Sequence, residues 1–80
     1  MTVVNLQYYA QLREQAGKTS EQVVTSAVSL RDLYEELRAS HGFSLGADVL
    51  KVAVNTEFSA WDRSLRDGDT VVFIPPVAGG

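Results

Sequence analysis

Residues 67–80 read DGDTVVFIPPVAGG. Asp67-Gly68-Asp69 is a turn signal, two acidic residues around a glycine. The next five residues, Thr70 to Ile74, are β-branched or aromatic and nearly all apolar, which predicts a strand. An apolar run of this kind belongs in the middle of a sheet, covered on both faces or nearly so. Pro75 and Pro76 then end the strand, because neither has an N–H to give a neighbour and both favour an extended course. The last strand is therefore expected to be central, and residues 75–80 to leave the sheet as an extended flexible tail. Fully extended, Pro75 to Gly80 reaches about 20 Å.

The rest of the chain supplies partners for that strand. At the start, VVNLQYYA (residues 3–10) alternates, with Val4, Leu6 and Tyr8 on one face and Val3, Asn5, Gln7 and Tyr9 on the other, so a strand with one core face is predicted. AQLREQAG (10–17) holds strong helix formers up to a glycine and predicts a single helical turn. EQVVTS (21–26) is a second strand. The clearest helix starts after Ser29, a good N-cap with Asp32 three residues on. Its apolar stripe is Leu30, Leu33, Tyr34 and Leu37, and it stops at Gly42. A loop, FSLGADVL (43–50), leads to a third strand, KVAVN (51–55). A turn at 55–57 follows, and Phe58 begins a short fourth strand. The order β-β-α-β-β-β implies an α+β fold, a mixed sheet of four to five strands with one main helix packed on one face. With the last strand central, this is the β-grasp, or ubiquitin-like, arrangement, formed by residues 1–80 as a single domain.

Composition narrows the functions open to such a domain. A chain of 80 residues buries only about 60% of its unfolded surface, which leaves no room for a deep cleft between lobes. The net charge is −3 and is spread along the chain, against the basic footprint that nucleic acid or an anionic membrane requires. There is no cysteine, so disulfides, thiolate metal sites and a cysteine nucleophile are excluded. No signal peptide or membrane-spanning run is evident, and the protein is expected to be cytoplasmic.

The side chains offer little chemistry. The single histidine, His41, sits at the end of the helix, where a cation complements the helix dipole; no partner is placed to make it a catalytic base. Asp67 and Asp69 resemble the start of a calcium loop, but the remainder of that pattern is missing. Glu35 and Glu36 are adjacent on a helix and point in different directions. Gly42 and Gly46 are not followed by the GK[ST] of a phosphate loop. No metal site and no bound cofactor are expected. One reactive group remains, the α-carboxyl of Gly80, ionised at neutral pH with a pKa of about 3.5. A carboxylate is a poor electrophile until another enzyme activates it, for example as an acyl-adenylate. Gly79 and Gly80 lack side chains and can thread a narrow tunnel into a partner's active site.

Three segments, YYAQLREQAG, VAVN and LRDGDTVVFIPPVAGG, resemble the small subunits of molybdopterin synthase, the sulfur carriers of molybdenum cofactor synthesis. That family usually has phenylalanine where Tyr9 and Ile74 stand here, so bulk and apolarity are kept. The resemblance implies that the Gly80 carboxylate is adenylated by an enzyme of the ubiquitin E1-like type, with ATP consumed by that partner, and that a sulfur donor system converts it to a thiocarboxylate. It further implies insertion of the tail, Pro75, Pro76, Val77, Ala78, Gly79 and Gly80, into the large synthase subunit. There sulfur passes to cyclic pyranopterin monophosphate to form the dithiolene. The synthase is then a heterotetramer of two large and two small subunits, with the catalytic side chains on the large one. The docking surface is expected on the sheet face away from the helix, as an exposed apolar patch of Tyr9, Phe58 and Ile74 with Arg13 at its edge. Trp61, Leu65 and Phe73 are assigned to the core or its rim. A sulfur carrier for thiamine, a ubiquitin-like protein modifier and a plain binding module are the alternatives.

Overall fold

The computed structural model describes residues 1–76. The elements are β1 (Thr2–Tyr8), α1 (Ala10–Ala16), β2 (Ser20–Thr25), α2 (Leu30–His41), a short 3-10 turn (Ala47–Val49), β3 (Lys51–Val54), β4 (Glu57–Ser59) and β5 (Thr70–Ile74). The five strands form one sheet in the order β2-β1-β5-β3-β4. β5 is central and runs parallel to β1, while the other neighbouring pairs are antiparallel. The β-grasp expectation holds in element order and in the central position of β5.

Strand alternation builds the core. Val4, Leu6 and Tyr8 of β1, Val52 and Val54 of β3, and Val71 and Phe73 of β5 are buried. They meet the stripe Leu30, Leu33, Tyr34 and Leu37 of α2, which is buried as well. Each fully buried side chain of this size contributes roughly 1.5–3 kcal/mol. Tyr34 stacks on Phe43 and meets Phe73 edge-to-face, with ring centroids 5.9 Å and 5.0 Å away. Its hydroxyl donates to the Leu45 carbonyl at 2.6 Å, so the buried polar atom is satisfied. Phe73 lies in the core, while Trp61 and Leu65 pack at its rim.

Local signals set the ends of α2. The Ser29 Oγ accepts from the Asp32 backbone N–H at 3.2 Å. Gly42 adopts φ 73°, and its N–H donates to the Arg38 carbonyl, the left-handed close that glycine permits. The first helix is longer than the single turn expected. It continues to Ala16 because Leu12 is buried and because Gln11 and Gln15 both donate from Nε2 to Ser44 Oγ, at 2.8 and 3.0 Å. Ser44 lies far along the chain, so this stabilisation is tertiary. The loop at 43–50 holds a 3-10 turn with Ala47 buried.

β5 is buried on one face and partly covered on the other, which matches the expectation of a strand covered on both faces or nearly so. Val71 and Phe73 are buried, but Thr70, Val72 and Ile74 are only half-buried. A central strand has backbone neighbours on both edges, and their cross-strand side chains half-cover the second face without any layer packed on it. The β3–β4 hairpin turns through Asn55 and Thr56 at φ 52° and 74°, the left-handed pair of a tight hairpin. Asn55 also accepts from the Thr70 N–H and donates to Asp69 Oδ1, both at 3.0 Å, which ties the hairpin to the start of β5.

Candidate functional site on the open sheet face

The register lays out the face that the helices leave open. Gln7 lies beside Val72, Val72 beside Ala53, and Ala53 beside Phe58, one row across four strands. Towards the end of β5, Ile74 is opposite Lys51. Tyr8 is paired with Phe73, so Tyr9 follows at the level of Ile74. Tyr9 is extended, with φ −128° and ψ 154°, and Ala10 then turns the chain with φ 50°. A left-handed alanine costs about 1 kcal/mol. That turn sends α1 towards the core side and leaves Tyr9 on the open side, where its hydroxyl donates to Gln7 Oε1 at 3.3 Å.

The exposures follow from this layout. Tyr9 is 48% and Phe58 74% exposed, and Ile74 is half-buried. None of the three is buried. Tyr9 and Ile74 lie at the same level at one end of the face, whereas Phe58 stands on the edge strand with Ala53 and Val72 between. Arg13 is exposed on α1, one helical turn beyond Tyr9. Sequence reasoning had not singled out Val72, Ala53 and Lys51. Their alternation with the buried Val71, Phe73, Val52 and Val54 is the signal that finds them.

Pro75 is half-buried and Pro76 exposed. The chain leaves the sheet at its centre, between the end of β1 and the beginning of β3. The other tail residues named from the sequence, Val77, Ala78, Gly79 and Gly80, lie outside the described residues.

The titratable clusters sit elsewhere and hold the fold. On the core side, Tyr8 Oη donates to Glu21 Oε2 at 2.5 Å, and His41 Nε2 lies 2.6 Å from the same oxygen. His41 thus has a side-chain partner in addition to its place at the helix end. Burial tends to raise the Glu21 carboxyl, but hydrogen bonds from Tyr8 and His41, with the nearby His41 and Lys18, hold it below its usual range. Burial, reinforced by the Glu21 hydrogen bond and charge, pushes the Tyr8 hydroxyl well above its ordinary value. Asp69 is buried and accepts from Arg63 at 2.9 Å, from the Arg66 backbone N–H at 2.8 Å and from Asn55. Burial raises its carboxyl, yet these donors outweigh it and the group is held low. The Asp67 side chain caps the Val3 N–H at 2.7 Å.

Among the described residues, no group of three or more His, Asp or Glu is placed to hold a metal. No helix among them is long and apolar enough to cross a membrane. The open face carries apolar, amide and hydroxyl side chains with one ammonium, which suits contact rather than bond-making.

Comparison with known proteins gives this surface a context. The pattern of the ThiS family matches residues 6–80. The molybdopterin synthase sulfur carrier subunit of Escherichia coli K12 is 31% identical, over 98% of this chain and 100% of that one. The crystal structure of SAMP1 from Haloferax volcanii superposes with a TM-score of 0.79 at 26% identity, covering 98% of this chain and 99% of the other. In fold, the chain also matches a protein–protein complex of subunits 1 and 2 of the molybdopterin-converting factor from Helicobacter pylori, with a TM-score of 0.68, 22% identity, and 99% and 100% of the two chains covered. The resemblance carried by the three sequence segments thus extends over the whole chain, which belongs to the ThiS family and is similar throughout to the sulfur carrier subunits of molybdopterin synthase.

Proposed function

We propose that the chain is the sulfur-carrier subunit of a molybdopterin synthase and that its functional group is the Gly80 carboxylate. One observation carries the reading. The central strand ends at Ile74 beside an open apolar face, and a proline pair there removes the N–H groups that would continue the ladder, with two residues between it and Gly79-Gly80. The fold holds the root of the tail fixed relative to the face that docks.

Activation is then done by others. A carboxylate oxygen of Gly80 attacks the α-phosphorus of ATP on an E1-like adenylyltransferase, and pyrophosphate leaves. Hydrosulfide supplied by the donor system attacks the acyl carbon, AMP leaves with the bonding electrons of the acyl–phosphate link, and the thiocarboxylate forms as the S–H proton is lost. In the large subunit the thiocarboxylate sulfur attacks a side-chain carbon of cyclic pyranopterin monophosphate and displaces an oxygen substituent. Water then cleaves the resulting thioester, leaving the sulfur on the pterin and returning the carboxylate. The chain's own residues bind and orient: Tyr9, Phe58 and Ile74 form the contact, Arg13 lies at its margin, and Pro75 and Pro76 aim the tail. The complex of two subunits in the Helicobacter pylori relative supports a large-subunit partner for this chain; two copies of each would give a heterotetramer. A cytoplasmic location fits the use of ATP by the partner.

Intact mass spectrometry tests the reading. After incubation with the adenylyltransferase, ATP and a sulfur donor, the mass should rise by one sulfur-for-oxygen exchange. The chain lacking Gly80 should show no exchange while melting at an unchanged temperature. Absence of the exchange in the full chain, with an adenylyltransferase shown to be active, overturns the reading. A second reading, a protein modifier, is supported by the likeness to SAMP1. It uses the same activation with a lysine amine as acceptor, and conjugates of higher mass in extracts would mark it.

A further inference from the structure

We infer that the open sheet face fits a protein surface that is apolar at its centre and presents carboxylates to Lys51 and Arg13, so that docking is steered by charge. This rests on the docking role proposed above and specifies the partner's chemistry.

The chain has ten acidic and seven basic residues, yet its charges are segregated. Only two acids lie within the five strands, Glu21 and Glu57. Glu21 is opposite Leu6 and Glu57 opposite Val54, both core-side positions, so the outward strand positions carry no acid. They carry one cation, Lys51, which is exposed and opposite Ile74 at the root of the tail. The other acids lie in the helices and connections. Asp48, in the turn before β3, is the acid closest in sequence to Lys51 and forms no ion pair with it.

The cations also divide. Lys18, Arg38 and Arg63 are paired with Glu21, Glu35 and Asp69, and Arg31 lies over the Trp61 ring. Among the described residues, Lys51, Arg13 and Arg66 form no salt bridge, and of these Arg66 lies before the start of β5, away from Ile74. Lys51, opposite Ile74, stands where a partner contacting Tyr9 and Ile74 would cover it, and Arg13 lies at the margin, one helical turn beyond Tyr9. Covering an ammonium without a counter-charge is costly, because desolvation is then not offset by attraction. A partner that binds here therefore gains most by placing a carboxylate against Lys51. The chain as a whole is acidic while the outward strand positions carry no acid, so a partner with carboxylates at its docking surface meets least repulsion on this face, which favours productive encounters and raises the association rate.

The test measures association of the full chain with the synthase large subunit at low and high salt. At low salt, Lys51→Glu should lower the association rate by about fivefold, and Lys51→Gln by less, with the loss shrinking at high salt. Arg66→Glu makes the same change in net charge beyond the opposite end of β5 and should stay within about twofold of the unmodified chain. Equal unfolding curves for the variants exclude a folding cause. If Lys51→Glu and Arg66→Glu behave alike, or the salt dependence is flat while the unmodified chain binds, the inference fails and the docking reading stands. If the unmodified chain does not bind the large subunit at all, the docking reading fails and this inference with it.

Discussion

Alternate residues of the same strands make the two faces of this sheet, and the two faces differ in kind. The core side is closed: Val4, Leu6, Tyr8, Val52, Val54, Val71 and Phe73 are buried under α2. Its charges at the margin are paired, Glu21 with His41 and Lys18, Asp69 with Arg63. On the open side Phe58 and Tyr9 stand exposed, Val72 and Ile74 are half-covered, and Lys51 has no acidic partner among the described residues. The closed side spends its apolar area on folding, and the open side keeps its own available for a second molecule. A step of one residue along a strand separates stability from recognition.

The sharpest way to break this comparison is to truncate one large side chain on each face. Phe73→Ala removes a fully buried ring from the centre of the core and should destabilise the fold by about 3–5 kcal/mol, read as a lower denaturant midpoint. Phe58→Ala should leave that midpoint nearly in place but weaken binding to the large subunit by about 2 kcal/mol, as truncating an aromatic anchor does. Equal effects of both variants on stability would show that the open face belongs to the core.

The paired charges of the closed side give a smaller, pH-dependent effect. The Asp69 carboxyl is held low in the folded chain, so its contribution is present above the unfolded value of about 3.9 and is lost as pH falls through the folded value. Asp69→Asn should cost about 2 kcal/mol at neutral pH, the scale of hydrogen bonds to a charged group. The gap between variant and parent should close in acid, and urea denaturation across the acid range would follow it. A gap that stays constant in acid would mean that shape, not charge, holds the turn. The smallest effect expected is at the start of α2. Ser29→Ala removes the acceptor for the Asp32 N–H and should lower stability by about 1 kcal/mol, without touching partner binding.

Much of this architecture was legible in the chain itself. The strand at 70–74, its central place, the apolar stripe of α2 and its capping serine and glycine follow from local pattern, because period and end signals are properties of neighbouring residues. The extent of α1 was not legible, since its second turn is held by Ser44 from a distant loop. Nor was the cluster of Tyr8, Glu21 and His41, whose members lie on β1, β2 and the end of α2. On the candidate site, Tyr9 and Ile74 could be placed on one face by parity, but the row of Val72 and Ala53 that connects them to Phe58 depends on the strand order.

By itself, the sequence determined where the chain is extended or helical, that the last strand is central, and that a proline pair closes that strand. These are short-range facts, set by side-chain period and by the backbone limits of proline and glycine. Only the tertiary structure decided which acids were drawn to the core side, that β5 is buried on one face and partly covered on the other, and that Lys51 stands beside Ile74 at the root of the tail. Those depend on register between strands far apart in the chain, and a register shifted by one residue would exchange the two faces.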